Sequence, residues 1–475
     1  MLNALMNCFK IPDLRKKLMF TIGMLVVYRI GYWVPVPGID QQILKDFFEQ
    51  ETSEGSAFGR VAQFVSIFSG GTLGQSTIFG MGIMPYISAA IIFQLLQSAV
   101  PAIKKLQEEG PSGRQKIQEW TRYATIGLCI VQAFGWLTFI TSSGIVYESY
   151  AANPMWWVMA ITAMTAGTVF LMWLGEQIDK YGIGNGVSLI ITAGILAQMP
   201  GAFLWLVQNS PVGQIGLIGA TLGIPQGDPQ LTWMQLILLL GAFVGVVAGA
   251  VLITVAQRRI PVQQAKHTRG RRVFGGQRSS LPLRVNHGGV MPIIFASSIM
   301  IFPSVVFGAL AQQSEGSASW WGGLMRFLGD NMVMGQYPYI LLYVGMVYFF
   351  SYFWTTVQFN PEDMSKQLRD SGSFIPGLRP GPRTAEYLET VMERITYVGA
   401  GFLSIIAVIP MVVQTSFNVD FMVASFLGGT GLLIVVSVGL DLIQRIEANL
   451  LMRNYAGFLG GNDQGKGPRI RGSRS

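Results

Sequence analysis

Ten long apolar segments govern what this chain can fold into. Each runs for roughly 18 to 23 residues, the length that a helix needs to cross about 30 Å of hydrocarbon. They predict an all-α polytopic membrane protein with ten transmembrane helices. The predicted spans are Leu18–Val36, Ile78–Val100, Tyr123–Ile140, Met155–Gly175, Val187–Val207, Met234–Ala256, Val290–Ala311, Tyr339–Val357, Ile395–Val413 and Phe421–Leu442.

The scarcity of charged residues agrees with a membrane environment. Charged residues make up 12% of the 475-residue chain and hydrophobic residues 51%, whereas a soluble protein carries roughly 25% charged residues. So few charges could not cover the water-facing surfaces of a soluble chain of this length. The two cysteines, Cys8 and Cys129, form neither a disulfide framework nor a metal-ligand pair.

The distribution of Lys and Arg predicts the orientation of the spans. With the N-terminus taken as cytoplasmic, 29 of the 33 Lys and Arg residues lie in inside segments and three in outside loops, while Arg29 lies within the first span. Basic residues are enriched in the cytoplasmic loops of membrane proteins. Both termini are therefore predicted to be cytoplasmic, with residues 1–17 before the first span and a tail over residues 443–475.

The ten spans divide into two halves of five. Residues 18–207 and residues 234–442 are separated by an external hinge over residues 208–233, which contains no Lys or Arg. Because five is an odd number, the second half enters the membrane from the opposite side to the first. This is the arithmetic of an inverted repeat, an arrangement that commonly places a transport path between the halves.

The spans lack the groups that catalysis or ion coupling usually requires. Neither His267 nor His287 lies in a span, and no carboxylate lies centrally in one. The nearest match to a phosphate-binding loop, Gly460–Gly467, lacks the required Ser or Thr. No catalytic residue, metal ligand or cofactor is predicted. Three hypotheses remain, in order of preference: a passive channel, a small-solute secondary transporter, which usually needs an intramembrane ionisable group, and a membrane enzyme.

Two features near the outer side each allow two interpretations. Arg29 lies in the outer half of the first span, where it either snorkels or pairs structurally or lines a polar pathway. Residues Arg60–Thr77 form a short amphipathic piece that is broken at Ser69, Gly70 and Gly71. This piece is either a re-entrant element, tolerated where protein or a water cavity surrounds it, or a helix lying on the outer leaflet.

Two cytoplasmic loops are too large to be simple connections. Loop 257–289 carries eight basic residues and no acid, which concentrates positive potential there. Loop 358–394 is predicted to form two helical arms, Pro361–Arg369 and Ala385–Arg394, joined by a Pro/Gly-rich tip that holds Arg379 outward. RNA phosphates, anionic lipids or an acidic protein surface could bind to these basic residues. Topology determination alone is the other interpretation.

Six sequence motifs are more specific than composition. They are Tyr28-Arg29-Ile30-Gly31, Pro35-Val36-Pro37-Gly38-Ile39-Asp40, Gly82-Ile83-Met84-Pro85-Tyr86-Ile87-Ser88-Ala89, Trp173-Leu174-Gly175-Glu176-Gln177-Ile178, Gly182-Ile183-Gly184-Asn185-Gly186 and Pro376-Gly377-Leu378-Arg379-Pro380-Gly381. Together they closely resemble the SecY family of bacterial protein-conducting channels. The resemblance extends from near Leu18 to the tenth span and leaves out about the last thirty residues.

The resemblance implies an hourglass channel that opens sideways between helices two and three and helices seven and eight. Its waist would be closed by a ring of aliphatic side chains, which blocks water and ions by dewetting, and by a re-entrant plug within residues 60–77. By motif, the ring residues are Ile83, Ile87, Val187, Ile191, Ile294 and Ile434, with Val187 in place of an expected isoleucine, and the plug residues are Phe64, Ile67, Phe68, Ser69, Gly70 and Gly71.

The resemblance also implies partners and a location. The partners are the SecE and SecG subunits, the SecA motor, the ribosome, nascent secretory and membrane-protein chains, and membrane lipids. The two basic loops would dock the motor and the ribosome through Arg271, Arg272, Arg379 and Arg383, although Gln264 stands where the family has an aromatic residue. The implied role is the central pore-forming subunit of the translocon in the bacterial inner membrane, and a secondary transporter is the alternative.

Overall fold

Long helices account for most of the chain. The computed structural model describes residues 12–53, 76–212, 231–264, 267–269, 272–274, 278–313, 320–332, 335–417, 419, 423 and 429–459. The helices are α1 (Pro12–Gly31), α2 (Gln41–Ser53), α3 (Met84–Ala99), α4 (Pro101–Glu108), α5 (Pro111–Ser142), α6 (Glu148–Ala151), α7 (Pro154–Tyr181), α8 (Gly186–Asn209), α9 (Trp233–Val255), α10 (Met291–Gln313), α11 (Trp320–Asn331), α12 (Tyr337–Gln358), α13 (Pro361–Asp370), α14 (Pro382–Phe417) and α15 (Thr430–Leu459).

Each of the ten predicted spans coincides with a helix, in chain order α1, α3, α5, α7, α8, α9, α10, α12, α14 and α15. Of the described helices, six are long and apolar enough by themselves to cross a membrane, and α3 with α4 forms a seventh if the pair counts as one span despite a bend of 102°. The chain is therefore an all-α polytopic membrane protein whose ten-helix count agrees with the prediction.

The first span was predicted to end too late and the second to begin too early. The first was expected to continue to Val36, but α1 ends at Gly31, because prolines at positions 35 and 37 cannot donate helical hydrogen bonds. The second was expected to begin at Ile78, but turns occupy the chain as far as Ile83 and α3 begins at Met84. Pro85 lies in its first turn, where a proline is well tolerated.

The second predicted arm of loop 358–394 is helical, as expected, but it is not a separate element. Residues Ala385–Arg394 are the first turns of α14, which begins at Pro382 and continues without a break into the ninth span. A proline at the first helical position costs nothing because its missing N–H would be unsatisfied there. The first arm was confirmed as α13, which Asn360 caps by accepting a hydrogen bond from the backbone N–H of Glu362.

The two basic loops meet in a small β-sheet. Strand β1 (Gln257–Gln264) pairs antiparallel with β4 (Arg278–Arg284) and with β5 (Ser373–Phe374), while β2 (His267–Arg269) and β3 (Arg272–Phe274) form a separate hairpin. The side chains of Ile260 and Val262 are buried on one face of β1, as the two-residue period of a strand requires. They pack with Phe359 and Leu388, so the two loops form one body.

The largest hydrophobic cluster lies where the two halves of the chain meet. Its buried members come from α1, α3, α7 and α8 of the first half and from α9, α10, α12, α14 and α15 of the second. A second cluster lies within the first half and centres on Trp136 and Trp156. The interface between the halves is therefore apolar, and the candidate site lies within it.

Candidate functional site

The six predicted ring residues belong to one hydrophobic cluster. Ile83, Ile87, Ile191, Ile294 and Ile434 are buried members, and Val187 is half-buried and packs against them. They come from both halves of the chain and are separated by up to 351 positions in the numbering. Their presence in one cluster is what a ring around a pore would require, and the ring itself stays a prediction.

The ring residues share a position at the beginning of their helices. Ile83 immediately precedes α3 and Ile87 lies in its first turns, while Val187 and Ile191 lie in the first two turns of α8. Likewise, Ile294 is in the first turn of α10, and Ile434 follows the described start of α15 by one turn. The local structure before each of these helices therefore decides where these six side chains lie.

The turn before α8 is fixed by three polar contacts. Asn185 caps α8 by accepting a hydrogen bond from the backbone N–H of Ser188 at 3.1 Å, the usual task of an N-cap asparagine. The carboxylate of Asp179, at the end of α7, accepts from the backbone N–H of Gly186 at 2.7 Å. Thr21 of α1 accepts from the backbone N–H of Ile183 at 3.1 Å. These bonds hold the start of α8, and hence the Val187 and Ile191 pair, against α7 and α1.

Gly186 allows α7 and α8 to approach closely at this turn. A Cβ at position 186 would overlap the backbone carbonyl of Gly175, so only glycine fits there. A Cβ at position 175 would in turn lie at contact distance from Val187. The glycine at position 186 is therefore explained by helix packing.

The chain just before α3 is fixed by hydrogen bonds to the extended segment that follows α1. The backbone N–H of Val36 donates to the carbonyl of Ser76 at 3.0 Å, and that of Ile78 donates to the carbonyl of Val34 at 2.9 Å. The indole N–H of Trp136 donates to the Oγ of Ser76 at 3.2 Å. Ser76 has a φ of 43°, a left-handed conformation that is uncommon for residues other than glycine. Ser76 is thus tied on both its backbone and its side chain.

The extended segment after α1 is also joined to other parts of the first half. The indole N–H of Trp156 donates to the carbonyl of Pro37 at 2.7 Å, and Ile39 forms an isolated bridge with Val146. Asp40 accepts hydrogen bonds from the backbone N–H groups that follow it in α2, which lowers the pKa of its carboxyl below the usual value. This proline-rich motif is therefore a structural brace.

The predicted plug residues Phe64, Ile67, Phe68, Ser69, Gly70 and Gly71 lie outside the described residues, as does Arg60. The structure resumes at Ser76 and Thr77, both of which are buried.

A polar cavity of about 220 Å³ opens beside the ring, on the side of the basic loops. Ser188 of α8, Met291 of α10 and Ser437 of α15 line it, and each lies within one helical turn of a ring residue. Asp441 accepts a hydrogen bond from Nε of Arg445 at 2.8 Å at its wall, and Asn286 donates to the carbonyl of Gly289 at 2.8 Å. Polar and apolar side chains therefore line this space together, and the apolar cluster that contains the predicted ring begins directly beside it.

Arg29 packs against an aromatic ring. Its guanidinium carbon lies 4.0 Å from the ring centroid of Tyr32, a cation–π distance. One of its terminal nitrogens, Nη1, is buried and has no hydrogen-bond partner in the structure as described. Of the two interpretations of Arg29, this contact favours the structural one.

The tip of the second basic loop is braced from both sides. Ile375 is buried in the cluster under the sheet, Thr384 donates through Oγ1 to the carbonyl of Arg379 at 2.9 Å, and Ser365 donates to the carbonyl of Gly381 at 2.8 Å. The side chains of Arg379 and Arg383 are exposed. Arg271 lies outside the described residues, and Arg272 is placed in β3 without a described side chain.

Comparison with known proteins decides the family. The SecY family model matches residues 77–443 of the chain. This chain belongs to the SecY family. Curated relatives include the protein translocase subunit SecY of Escherichia coli, 38% identical over 454 residues that cover 94% of both chains. The SecY subunit of Streptomyces coelicolor is 39% identical over 470 residues, covering 97% of this chain and all of the relative.

Solved channel structures have the same fold as this SecY-family chain. A structure described as that of a protein-conducting channel aligns over 95% of each chain with a TM-score of 0.56 and 18% identity. A structure that concerns the plug domain of SecY aligns over the same shares with a TM-score of 0.59 and 19% identity. Sec61 in the canine ribosome–channel complex also aligns, with a TM-score of 0.54 and 19% identity.

Sequence reasoning missed three parts of this site. The polar cavity is assembled from loop 257–289 and the starts of α8, α10 and α15, so no single segment displays it. The hydrogen bond between Trp136 and Ser76 joins residues sixty positions apart. The sheet that joins the basic loops includes strands with charged residues, so hydropathy does not single them out. The alternation of Ile260 with Val262 in β1 and of Leu281 with Leu283 in β4 is a signal that could have predicted these strands.

Proposed function

We propose that this chain is the central pore-forming subunit of a Sec protein translocase, passing unfolded secretory polypeptides across the membrane and releasing transmembrane segments sideways into lipid. The observation that carries the proposal is the position of the six aliphatic side chains in one apolar cluster between the halves of a SecY-family fold. A polypeptide that enters the polar cavity would meet this cluster next.

The chemistry of the ring suits a conduit for chains of any sequence. Ile83, Ile87, Ile191, Ile294 and Ile434 present only aliphatic groups, with the slightly smaller Val187 on one side. Such groups form no specific hydrogen bonds with a passing chain, so they can seal around it without selecting its sequence. When the pore is empty, the same groups exclude water by dewetting. The plug over residues 60–77 would add a second barrier on the far side.

The contacts between the halves support a sideways exit on one side of the pore. In the described part of the chain, the most extensive helix contact between the halves is that of α8 with α15. Helices α3 and α5 of the first half make far less contact with α10 and α12 of the second. This seam would open between helices two and three and helices seven and eight, while the α8–α15 side acts as the hinge.

The basic loops would supply the docking surface for the driving partner. Arg379 and Arg383 are exposed at a tip whose backbone is braced, so little backbone entropy is lost when they bind a partner. Arginine suits phosphate or carboxylate groups because its planar guanidinium donates in pairs. We assign the ribosome and the SecA motor to this surface, with Arg271 and Arg272 of the first basic loop contributing. Ribosome-bound relatives, such as Sec61 in the canine complex, support the first assignment.

SecE and SecG would complete the complex in the inner membrane of a bacterium, with both termini cytoplasmic. The 29-to-3 bias of basic residues supports that orientation, and the bacterial SecY relatives support the compartment. No nucleotide-binding motif has been identified in the sequence, so the energy for translocation would come from the motor or from chain elongation.

Cross-linking of a stalled chain tests the proposal. A photoreactive amino acid is placed singly at positions 83, 87 and 191 and, as a matched control, at position 237, where the Ile237 side chain is 64% exposed on the lipid side of α9. With a ribosome-stalled secretory precursor, the first three positions should cross-link to the precursor and position 237 should not. Absence of cross-links at the ring, or equal cross-linking at position 237, would overturn the assignment of the path.

A further inference from the structure

The short helix α11 exposes an apolar face. Trp320 is 69% exposed, Trp321 54%, Leu324 38% and Phe327 62%. Positions 320, 324 and 327 repeat at the four- and three-residue spacing of one helix face, and Trp321 borders that face. Large aromatic side chains therefore dominate the exposed side of this helix.

The inward side of α11 is formed mainly by smaller or less apolar contacts than its outer side. Gly322 and Gly329 are buried, and Met325, Arg326 and Leu328 are partly buried, where α11 packs along α10. A helix on a water-exposed surface normally turns its apolar side inward and its polar side outward. The aromatic side chains of α11 instead lie on its outer face, which indicates that this face does not contact water.

The position of α11 in the chain indicates what its exposed apolar face contacts. It connects the end of α10 at Gln313 with the start of α12 at Tyr337, and the opposite ends of both helices adjoin the basic loops. It therefore lies at the membrane surface remote from those loops. The exposed side chains of Leu310, Tyr337 and Leu341 on the two spanning helices continue the apolar surface of α11 toward the hydrocarbon.

We propose that this face of α11 is a lipid-binding surface that lies in the interfacial layer of the leaflet remote from the basic loops. Tryptophan is enriched at this depth because its ring is apolar while its N–H can reach the headgroups. The four side chains carry no charge, so the ligand is the phospholipid surface and not a charged protein partner. Because α11 packs on α10, which carries the ring residue Ile294, it anchors the outer end of that helix. The proposal does not depend on polypeptide conduction.

Spin labels on α11 test the proposal in the complete complex. Single cysteines are introduced by Leu324→Cys and Phe327→Cys in a Cys8→Ser background, in which the remaining Cys129 is fully buried. The complex is reconstituted in vesicles of phosphatidylethanolamine and phosphatidylglycerol. Collision rates with oxygen, which concentrates in lipid, and with a nickel chelate, which stays in water, are then measured by electron paramagnetic resonance. Met325→Cys reports the protein-facing side, and Lys366→Cys on α13 reports water.

Three outcomes separate the possibilities. Labels at positions 324 and 327 that collide more with oxygen than with the nickel chelate, opposite to position 366, support the proposal. Labels that behave like position 366 overturn it, because the face is then in water. Labels that are shielded from both reagents, like position 325, also overturn it, because a partner chain then covers the face.

Discussion

The indole Nε1 of Trp136 lies 3.2 Å from the hydroxyl oxygen of Ser76 and donates a hydrogen bond to it, although sixty residues separate the two in the sequence. Both residues are buried. Ser76 lies between the named plug residues, which end at Gly71, and the start of α3 at Met84, and Trp136 belongs to α5. The bond therefore attaches the entrance of the second span to the third.

We predict that this bond contributes measurably to stability and that its two partners are coupled. Ser76→Ala leaves the indole N–H buried without an acceptor, and Trp136→Phe removes the donor. Each should lower the free energy of unfolding by about 1 to 3 kcal/mol, since an unsatisfied buried polar group bears its full desolvation cost. Thermal unfolding in detergent measures the effect.

A double-mutant cycle separates the bond from general packing. The double variant should cost less than the sum of the single variants, with a coupling of about 1 kcal/mol. Trp173→Phe, at an exposed tryptophan of α7, is the control and should have little effect. Strict additivity of the two single variants would show that the hydrogen bond is not a stabilising contact.

We predict that polar groups in the ring make the resting channel leaky. Ile87→Asn and Ile191→Asn place an amide in the buried cluster and lower its barrier to water. A barrier reduced by about 1.4 kcal/mol raises resting conductance about tenfold, which planar-bilayer recordings detect. Ile87→Leu and Ile191→Leu keep the constriction apolar at nearly constant volume and should remain sealed. Asparagine variants that conduct no more than these leucine controls would remove Ile87 and Ile191 from the ring.

The number and class of the elements could be predicted from the sequence because each span is long and strongly apolar. The ends of the helices could not be predicted in this way, since a hydropathy pattern carries no information about backbone conformation. Val34 and Val36 are apolar and were counted in the first span, yet the prolines at positions 35 and 37 hold this segment in an extended conformation. Residues Ala385–Arg394 carry four charges, yet nothing between them and Ile395 interrupts the helix, so the charged arm and the apolar span form one helix.

The ring residues could be named from the sequence only through family motifs. Isoleucines at a four-residue spacing, such as Ile83 and Ile87, occur on any packed helix, and nothing in the pattern distinguishes a constriction from a core. The polar cavity had no such motif, because Ser188, Met291 and Ser437 are unremarkable in their own segments. They line a common space only because the starts of α8, α10 and α15 converge.

We predict that Arg379→Glu impairs motor-driven translocation more than it impairs assembly. The backbone braces on the tip, from Thr384 Oγ1 to the carbonyl of residue 379 and from Ser365 to Gly381, do not involve the guanidinium group. The substitution should therefore preserve the loop while reversing the charge it presents. A loss of about 1.4 kcal/mol in partner binding corresponds to about tenfold weaker affinity.

Reconstituted vesicles with the motor and a secretory precursor measure this effect. Arg369→Glu, on the exposed surface of α13, is a matched charge reversal away from the tip and should retain translocation. Unchanged motor affinity and translocation in Arg379→Glu would remove the docking role of this residue. Loss of the assembled complex instead would show that the arginine is structural.

We predict that the ion pair between α5 and α7 depends on the shape of arginine as well as on its charge. Nε and Nη2 of Arg122 donate to Oε1 and Oε2 of Glu176, both at 2.8 Å. Lysine carries the charge but cannot donate in parallel to two carboxylate oxygens. Because the Arg122 side chain is 40% exposed and that of Glu176 25%, solvent screens the pair, and Arg122→Lys should cost about 1 kcal/mol.

Thermal unfolding at low and high salt tests this prediction. Arg445→Lys, at the more exposed pair with Asp441, is the control and should cost less, because a single hydrogen bond on one helix is easily replaced by water. Exchange of the partners, Arg122→Glu with Glu176→Arg, should recover part of the loss of either single change, since the bidentate geometry can form in the reverse direction. If Arg122→Lys is as stable as the parent at both salt concentrations, the two helices are held together by their apolar contacts and the ion pair is incidental.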